Sequence, residues 1–180
     1  LAAGSVLYLA NNSPFSLELT SIKRGIWMNW TLLTFGKHKG KTLPQVAFQD
    51  PDWLYWAAKN VKFTNPIQKA EFKDVASKAQ RIRIPGVAGK KKVRYYTVYG
   101  SGKLGNIEVV EIDRGAHKGS SGYLDADHFD LFRASKIAAY DKTGSKFVVR
   151  AIKYYVFGSS DARITKAKAE KFFSDSSNFG

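Results

Sequence analysis

The stretch Phe35-Gly36-Lys37-His38-Lys39-Gly40-Lys41-Thr42-Leu43-Pro44-Gln45-Val46, running on to Asp50-Pro51-Asp52-Trp53-Leu54-Tyr55-Trp56, constrains the chain more than any other. Gly36 and Gly40 let the backbone reverse closely, so the β-prone run Trp30–Thr34 reads as a strand entering a tight turn at Lys37–Gly40. Thr42 with Pro44, and Asp50 with Pro51, each place a polar cap before a proline in the first turn, which starts two short helices. The second helix carries Trp53, Trp56 and Ala57 on one face, with Leu54, Tyr55 and Ala58 beside them. At that spacing the two tryptophans read as core rather than as base-stacking platforms.

The same local signals order the rest of the chain. Asn60 ends the second helix, and Asn65-Pro66 opens a third, expected from Ile67 to about Arg81. Ile82–Lys92, with Pro85, Gly86, Gly89 and the run Lys90-Lys91-Lys92, reads as a basic linker. A strand over Lys92–Tyr99 and another over Ile107–Ile112 flank Gly100-Ser101-Gly102-Lys103, a hairpin turn. Asp113–Gly122, with Arg114, His117 and Lys118, is polar and glycine-rich, hence a loop long enough for function. Asp125–Phe132 opens either a short helix or a third strand. Thr143–Phe157, stopped by Gly158, fits a helix better than the strand that its β-branched content also allows, and Thr165 caps a last helix through Phe173.

The predicted class is α+β: a small α-rich module with an N-terminal β-turn, a basic linker, then a β-hairpin with two C-terminal helices. The expected division is 1–27, 28–81, 82–92 and 93–180. Met28 is the sole methionine, so residues 1–27 read either as a leader preceding the natural start or as part of a longer protein. Within them, Val6–Leu9 and Phe15–Ile22 alternate as short strands do, around Asn11–Pro14.

Charge decides the partner class. Lys and Arg number 29 against 15 Asp and Glu, a formal net charge of +14 that attracts polyanions, with nucleic acid the leading partner. A membrane partner is not expected, because the basic residues alternate with polar and aromatic ones rather than forming an amphipathic helix. The chain has no cysteine, which excludes disulfides and thiolate metal sites. No apolar run approaches the roughly 20 residues of a membrane span, and the cytoplasm is the expected compartment.

The residues Phe35-Gly36-Lys37-His38-Lys39-Gly40, then Leu43, Val46, Asp50-Pro51 and Trp53-x-x-Trp56, resemble the C-terminal domain of exodeoxyribonuclease X and its relatives in phage and bacteria. The resemblance covers about Leu32–Asn60, reaching at most Arg81. It implies an accessory module that accompanies nucleic-acid enzymes or stands alone, in which Phe35, Gly36, Lys37, Lys39, Gly40, Trp53 and Trp56 occupy motif positions.

On this reading Lys37, His38, Lys39 and Lys41 contact phosphates, joined by Lys90, Lys91 and Lys92 of the linker and by Arg163 and Lys166 near the last helix. Arg150, Lys153, Arg163, Lys166, Lys168 and Lys171 fit either a helix-turn-helix-like unit or an ordinary helical hairpin. Pro51-Asp52 followed by Glu71-Phe72-Lys73 has the order of a Mg²⁺-dependent nuclease, but both carboxylates fall in predicted helices. Asp125, Asp127 and Asp130, with His128, are candidate divalent-metal ligands; a helix cap at Asp125 or Asp127 is the favoured reading. Gly100-Ser101-Gly102-Lys103-Leu104 lacks the hydroxyl residue and glycine spacing of a phosphate loop.

The expectation is a non-enzymatic nucleic-acid-binding protein without a cofactor, with a protein partner in a replication or nuclease assembly admitted. Its alternatives are a Mg²⁺-dependent nuclease and an adaptor for an acidic protein.

Overall fold

The computed structural model describes residues 30–86, 89–115 and 122–180. The expected leader strands, Met28, His117 and Lys118 lie outside the described residues.

The first helices begin where capping chemistry places them. Helix α1 spans Leu43–Gln49, and Gln45 Oε1 accepts from the Thr42 N–H at 3.2 Å, which satisfies an amide that the first turn leaves unpaired. Helix α2 spans Pro51–Asn60 behind Asp50, whose Oδ1 accepts from the Trp53 N–H at 3.1 Å. Helix α3 spans Pro66–Lys78 behind Asn65, ending three residues before the expected Arg81 because the chain there turns into strand β1, Ile82–Arg83. The strand expected at Trp30–Thr34 reduces to one bridge, Leu32 with Thr42.

Trp53 and Trp56 part company. Trp53 is 8% exposed and Trp56 is 53% exposed. The buried stripe of α2 runs through Trp53, Leu54 and Ala57, so position 56 falls on the far flank of the helix.

The sheet comprises β2 (Lys91–Thr97), β3 (Leu104–Glu111) and β4 (Gly122–Ala126), antiparallel in the order β3-β2-β4. Tyr95 pairs with Ile107 on one side and Leu124 on the other. Val93 and Tyr95 on one face of β2 are buried in the core, while Arg94 and Tyr96 occupy the opposite face. The third strand is the form that the Asp125–Phe132 region takes first; β5 (His128–Phe129) and helix α4 (Leu131–Ala138) follow.

Helix α4 is capped by Asp130, which accepts from the Phe132 N–H at 2.8 Å, not by Asp125 or Asp127. Helix α5 spans Lys142–Phe157 and stops at Gly158, whose φ of 80° is left-handed. Helix α6 spans Lys166–Ser174 behind Thr165. Mixed helices and small antiparallel sheets make the fold α+β.

Chain on the two sides of residues 82–92 packs into one hydrophobic cluster. Phe48 of α1 meets Phe157, Phe172 and Phe173 at ring-centroid distances of 5.2, 5.4 and 5.7 Å. Ile82, placed in the expected linker, is buried; it pairs with Phe129 and bridges Phe179. Two polar ties reinforce the join: Lys78 Nζ donates to the Phe173 carbonyl at 3.0 Å, and Trp30 Nε1 donates to Ser174 Oγ at 3.2 Å.

Candidate nucleic-acid interface

The glycine-lysine turn is built on hydrogen bonds between its own backbone groups. Leu33 N–H donates to the Lys41 carbonyl at 2.8 Å and Gly40 N–H to the Leu33 carbonyl at 2.8 Å, closing the loop. Gly36 and Gly40 have φ of 68° and 82°, backbone that only glycine enters at little cost. Phe35 anchors the turn against Trp53 and Phe63, at 6.1 and 6.0 Å between ring centroids.

The turn is then latched to the start of α2 through one carboxylate. Asp50 Oδ2 lies 2.6 Å from Lys37 Nζ and 2.9 Å from His38 Nε2, while Oδ1 caps the helix. Burial pushes the Asp50 pKa up, but the hydrogen bonds from Lys37, His38 and the Trp53 amide outweigh it and hold it below the usual carboxylate range. His38 is 7% exposed, its ring edge-on to Trp53 at 4.9 Å. It faces the protein rather than a ligand, so its part in the motif is to hold the turn.

The lysines point outward with different degrees of freedom. Lys39 is exposed and has no ion-pair partner among the described residues. Lys41 Nζ donates to Gln49 Oε1 at 2.6 Å, which places it over α1. Lys37 remains largely open beside its surface ion pair, a contact worth little energy.

The other expected contacts are scattered. Lys90 is exposed, Lys91 lies 3.4 Å from Glu111, and Lys92 is drawn in to Asp125 at 2.8 Å with 16% of its side chain exposed. Arg163 and Lys166 are exposed before and at the start of α6. The fold also assembles Lys142, Lys146, Arg150 and Lys153, four cations on one face of α5, of which the sequence pattern points only to Arg150 and Lys153. They line a cleft of about 650 Å³ together with Asp50, Pro51 and Asp52, beside the glycine-lysine turn. Their spacing of about four residues is the signal in the sequence that could have joined them.

The carboxylates read as metal candidates, the exposed Asp127 apart, have other partners. Glu71 accepts from the Thr31 amide at 3.0 Å and from its hydroxyl, whereas Asp52 is exposed and accepts from Ser135 Oγ at 3.2 Å. Asp125 grips the buried Arg94 through both oxygens, at 2.7 and 3.0 Å, which with Lys92 holds its pKa down to about 2. Asp130 is the α4 cap, its pKa raised by burial. Among the described residues no group of three or more His, Cys, Asp or Glu side chains converges on a point where a metal ion could sit.

Residues 33–62 match the family of exodeoxyribonuclease X-like C-terminal domains. The match begins at Leu33, which closes the glycine-lysine turn, and ends just beyond α2. It therefore takes in the turn, both capped helices and the Asp50 latch as one unit. No curated protein matches the chain, and no solved structure matches it. Among the described residues no helix is long and apolar enough to cross a membrane.

Proposed function

We propose that the protein is a non-enzymatic, cytoplasmic accessory protein of phage or bacterial type that holds nucleic acid by its phosphates. The observation that carries this reading is how the molecule uses its acidic side chains. Asp50, Asp130, Asp141 and Asp175 cap helices, Glu71 holds Thr31, and Asp125 holds Arg94 and Lys92. With those carboxylates committed to structure, the described surface keeps much of the cationic character of a sequence with 29 Lys and Arg against 15 Asp and Glu. Lys39, Lys90, Arg163 and Lys166 are exposed there, and so supply phosphate contacts. The exodeoxyribonuclease X-like segment agrees with a partner of this class.

Fluorescence anisotropy with labelled DNA and RNA across a salt series tests the reading. Binding at low salt whose logarithm falls linearly with the logarithm of salt concentration is expected. Absence of binding to single- and double-stranded DNA and RNA at low salt would remove it and leave the adaptor for an acidic protein. Cleavage of the same probes on adding Mg²⁺ or Mn²⁺ would replace it with the nuclease alternative.

A further inference from the structure

The packing of α2 against α3 leaves an open groove of about 950 Å³, separate from the cleft along α5. Its floor is apolar: Val61, Phe63 and Phe72 line it with Ala58, Ala70 and Ala76. Phe63 is half-buried and rests on Phe72 at 4.1 Å between ring centroids, so one aromatic ring is held rigidly yet remains open to the groove. Phe63 also contacts Phe35, which couples the groove to the glycine-lysine turn.

The rim is cationic and uncompensated. Lys62, Lys69, Lys73 and Arg81 line the groove, and among the described residues no carboxylate does. The acidic residues of α3 face elsewhere: Glu71 is turned inward to Thr31, and Asp74 pairs with Lys78 at 2.8 Å. Lys69 and Lys73 are one turn apart on α3, about 6 Å along its axis, and Arg81 follows three residues beyond the end of the helix at Lys78, so the cations continue past the helix end. Lys73, which in the sequence completes a nuclease-like order of residues, belongs to this rim.

We propose that this groove binds a single strand of DNA or RNA, its bases against Phe63 and its phosphates on Lys62, Lys69, Lys73 and Arg81. The proposal rests on the nucleic-acid reading above and narrows it to a site and a strand type. Unpaired bases have open faces that stack on an aromatic ring whatever their sequence, while cations along the edge follow the backbone. A duplex keeps its base faces stacked internally, so an apolar floor contributes nothing to holding it. An acidic peptide shares the charge, but an apolar floor topped by a single open ring at the foot of a row of cations fits alternating bases and phosphates.

The test uses the full chain, labelled oligothymidylate and oligouridylate of about twenty nucleotides, and a duplex of equal length. Lys69→Glu combined with Lys73→Glu is expected to weaken single-strand binding about tenfold or more and duplex binding several times less. Which of the two single strands binds more tightly assigns DNA or RNA. Independently, ultraviolet crosslinking of wild-type protein to an iodouracil-substituted strand is expected to map to the peptide containing Phe63. This second measurement stands even if the double variant does not fold.

Equal losses on single strand and duplex, or crosslinks mapping only elsewhere, overturn the groove while leaving the general reading intact. Wild-type protein that binds neither strand type overturns the general reading and with it the groove. A labelled poly-glutamate peptide that outcompetes the oligonucleotide and loses affinity in the double variant overturns the strand in favour of a protein.

Discussion

Gly36 lies against the indole of Trp53, where a Cβ at position 36 would come within 3.1 Å of Cζ2. The close approach and the φ of 68° demand the same residue for two independent reasons. Gly36→Ala should therefore cost about 1–3 kcal/mol, through left-handed strain and displacement of a buried ring. Thermal or urea denaturation measures this. Gly40 has φ of 82° but open space around it, so Gly40→Ala should cost less than Gly36→Ala. Equal stability of Gly36→Ala and wild type would mean that the turn does not sit on Trp53.

Asp50 unites the turn, His38 and the start of α2, so Asp50→Ala should destabilise by more than an ordinary cap. An N-cap loss costs about 1 kcal/mol, and the buried His38 Nε2 loses its partner as well, for a total of about 2 kcal/mol. Asp50→Asn retains a capping oxygen and should recover about half of the loss. His38→Ala should lower stability while leaving the salt dependence of nucleic-acid binding unchanged, because the ring is buried against Trp53.

What the sequence made legible follows the range of the interactions involved. Helix starts at Thr42, Asp50, Asn65 and Thr165 were readable because a cap and its proline or following amide lie within four residues. The turn Gly100–Lys103 and the stop at Gly158 were readable for the same reason. Trp56 reads as core from sequence but is exposed, because a spacing of three marks one broad face without saying which edge of it meets the core. Within the linker stretch 82–92, Ile82 pairs with Phe129 and bridges Phe179, partners distant in sequence that no local signal announces. In the candidate interface the motif lysines were visible as residues. The inward turn of His38, and the gathering of Lys62, Lys69, Lys73 and Arg81 around one groove, depend on helix packing that no local pattern encodes.

Replacing Lys37, Lys39 and Lys41 together by Ala should weaken nucleic-acid binding and flatten its salt dependence by about one unit of slope for each phosphate no longer neutralised. Lys39→Ala alone should account for one whole unit, since Lys39 is exposed and unpaired among the described residues, whereas Lys41 is partly occupied by Gln49. Far-ultraviolet circular dichroism should be unchanged, because the turn is closed by backbone hydrogen bonds. A triple variant with an unaltered salt slope would show that the turn does not touch phosphate.

Asp125 gives the fold an acid limit. Its pKa is about 2 in the folded chain, held down by the hydrogen bonds from Arg94 and Lys92, against about 3.9 when unfolded. The folded state therefore binds this proton less readily than the unfolded state. The resulting stability is fully present above about pH 4 and is lost as pH falls through about 2. Asp125→Asn should lower the melting temperature at neutral pH and make stability less sensitive to pH across that window. A variant whose stability declines with acid as steeply as wild type would place the dependence on another carboxylate.

Phe48 decides whether the two stretches flanking residues 82–92 unfold together. Its ring is fully buried and packs on Phe157, Phe172 and Phe173, so α1 of the exodeoxyribonuclease X-like segment shares its core with α5 and α6. Phe48→Ala should cost about 3–5 kcal/mol, the range for removing a buried phenyl ring where the surroundings collapse only in part. Because the cavity opens at the join, the loss should appear as one shifted, cooperative transition. Tryptophan fluorescence, to which the buried Trp30 and Trp53 contribute, and hydrogen exchange in α5 and α6 should report unfolding at the same denaturant concentration. Separate transitions, with α5 and α6 retaining wild-type protection while the tryptophan signal shifts, would show two cores in contact rather than one.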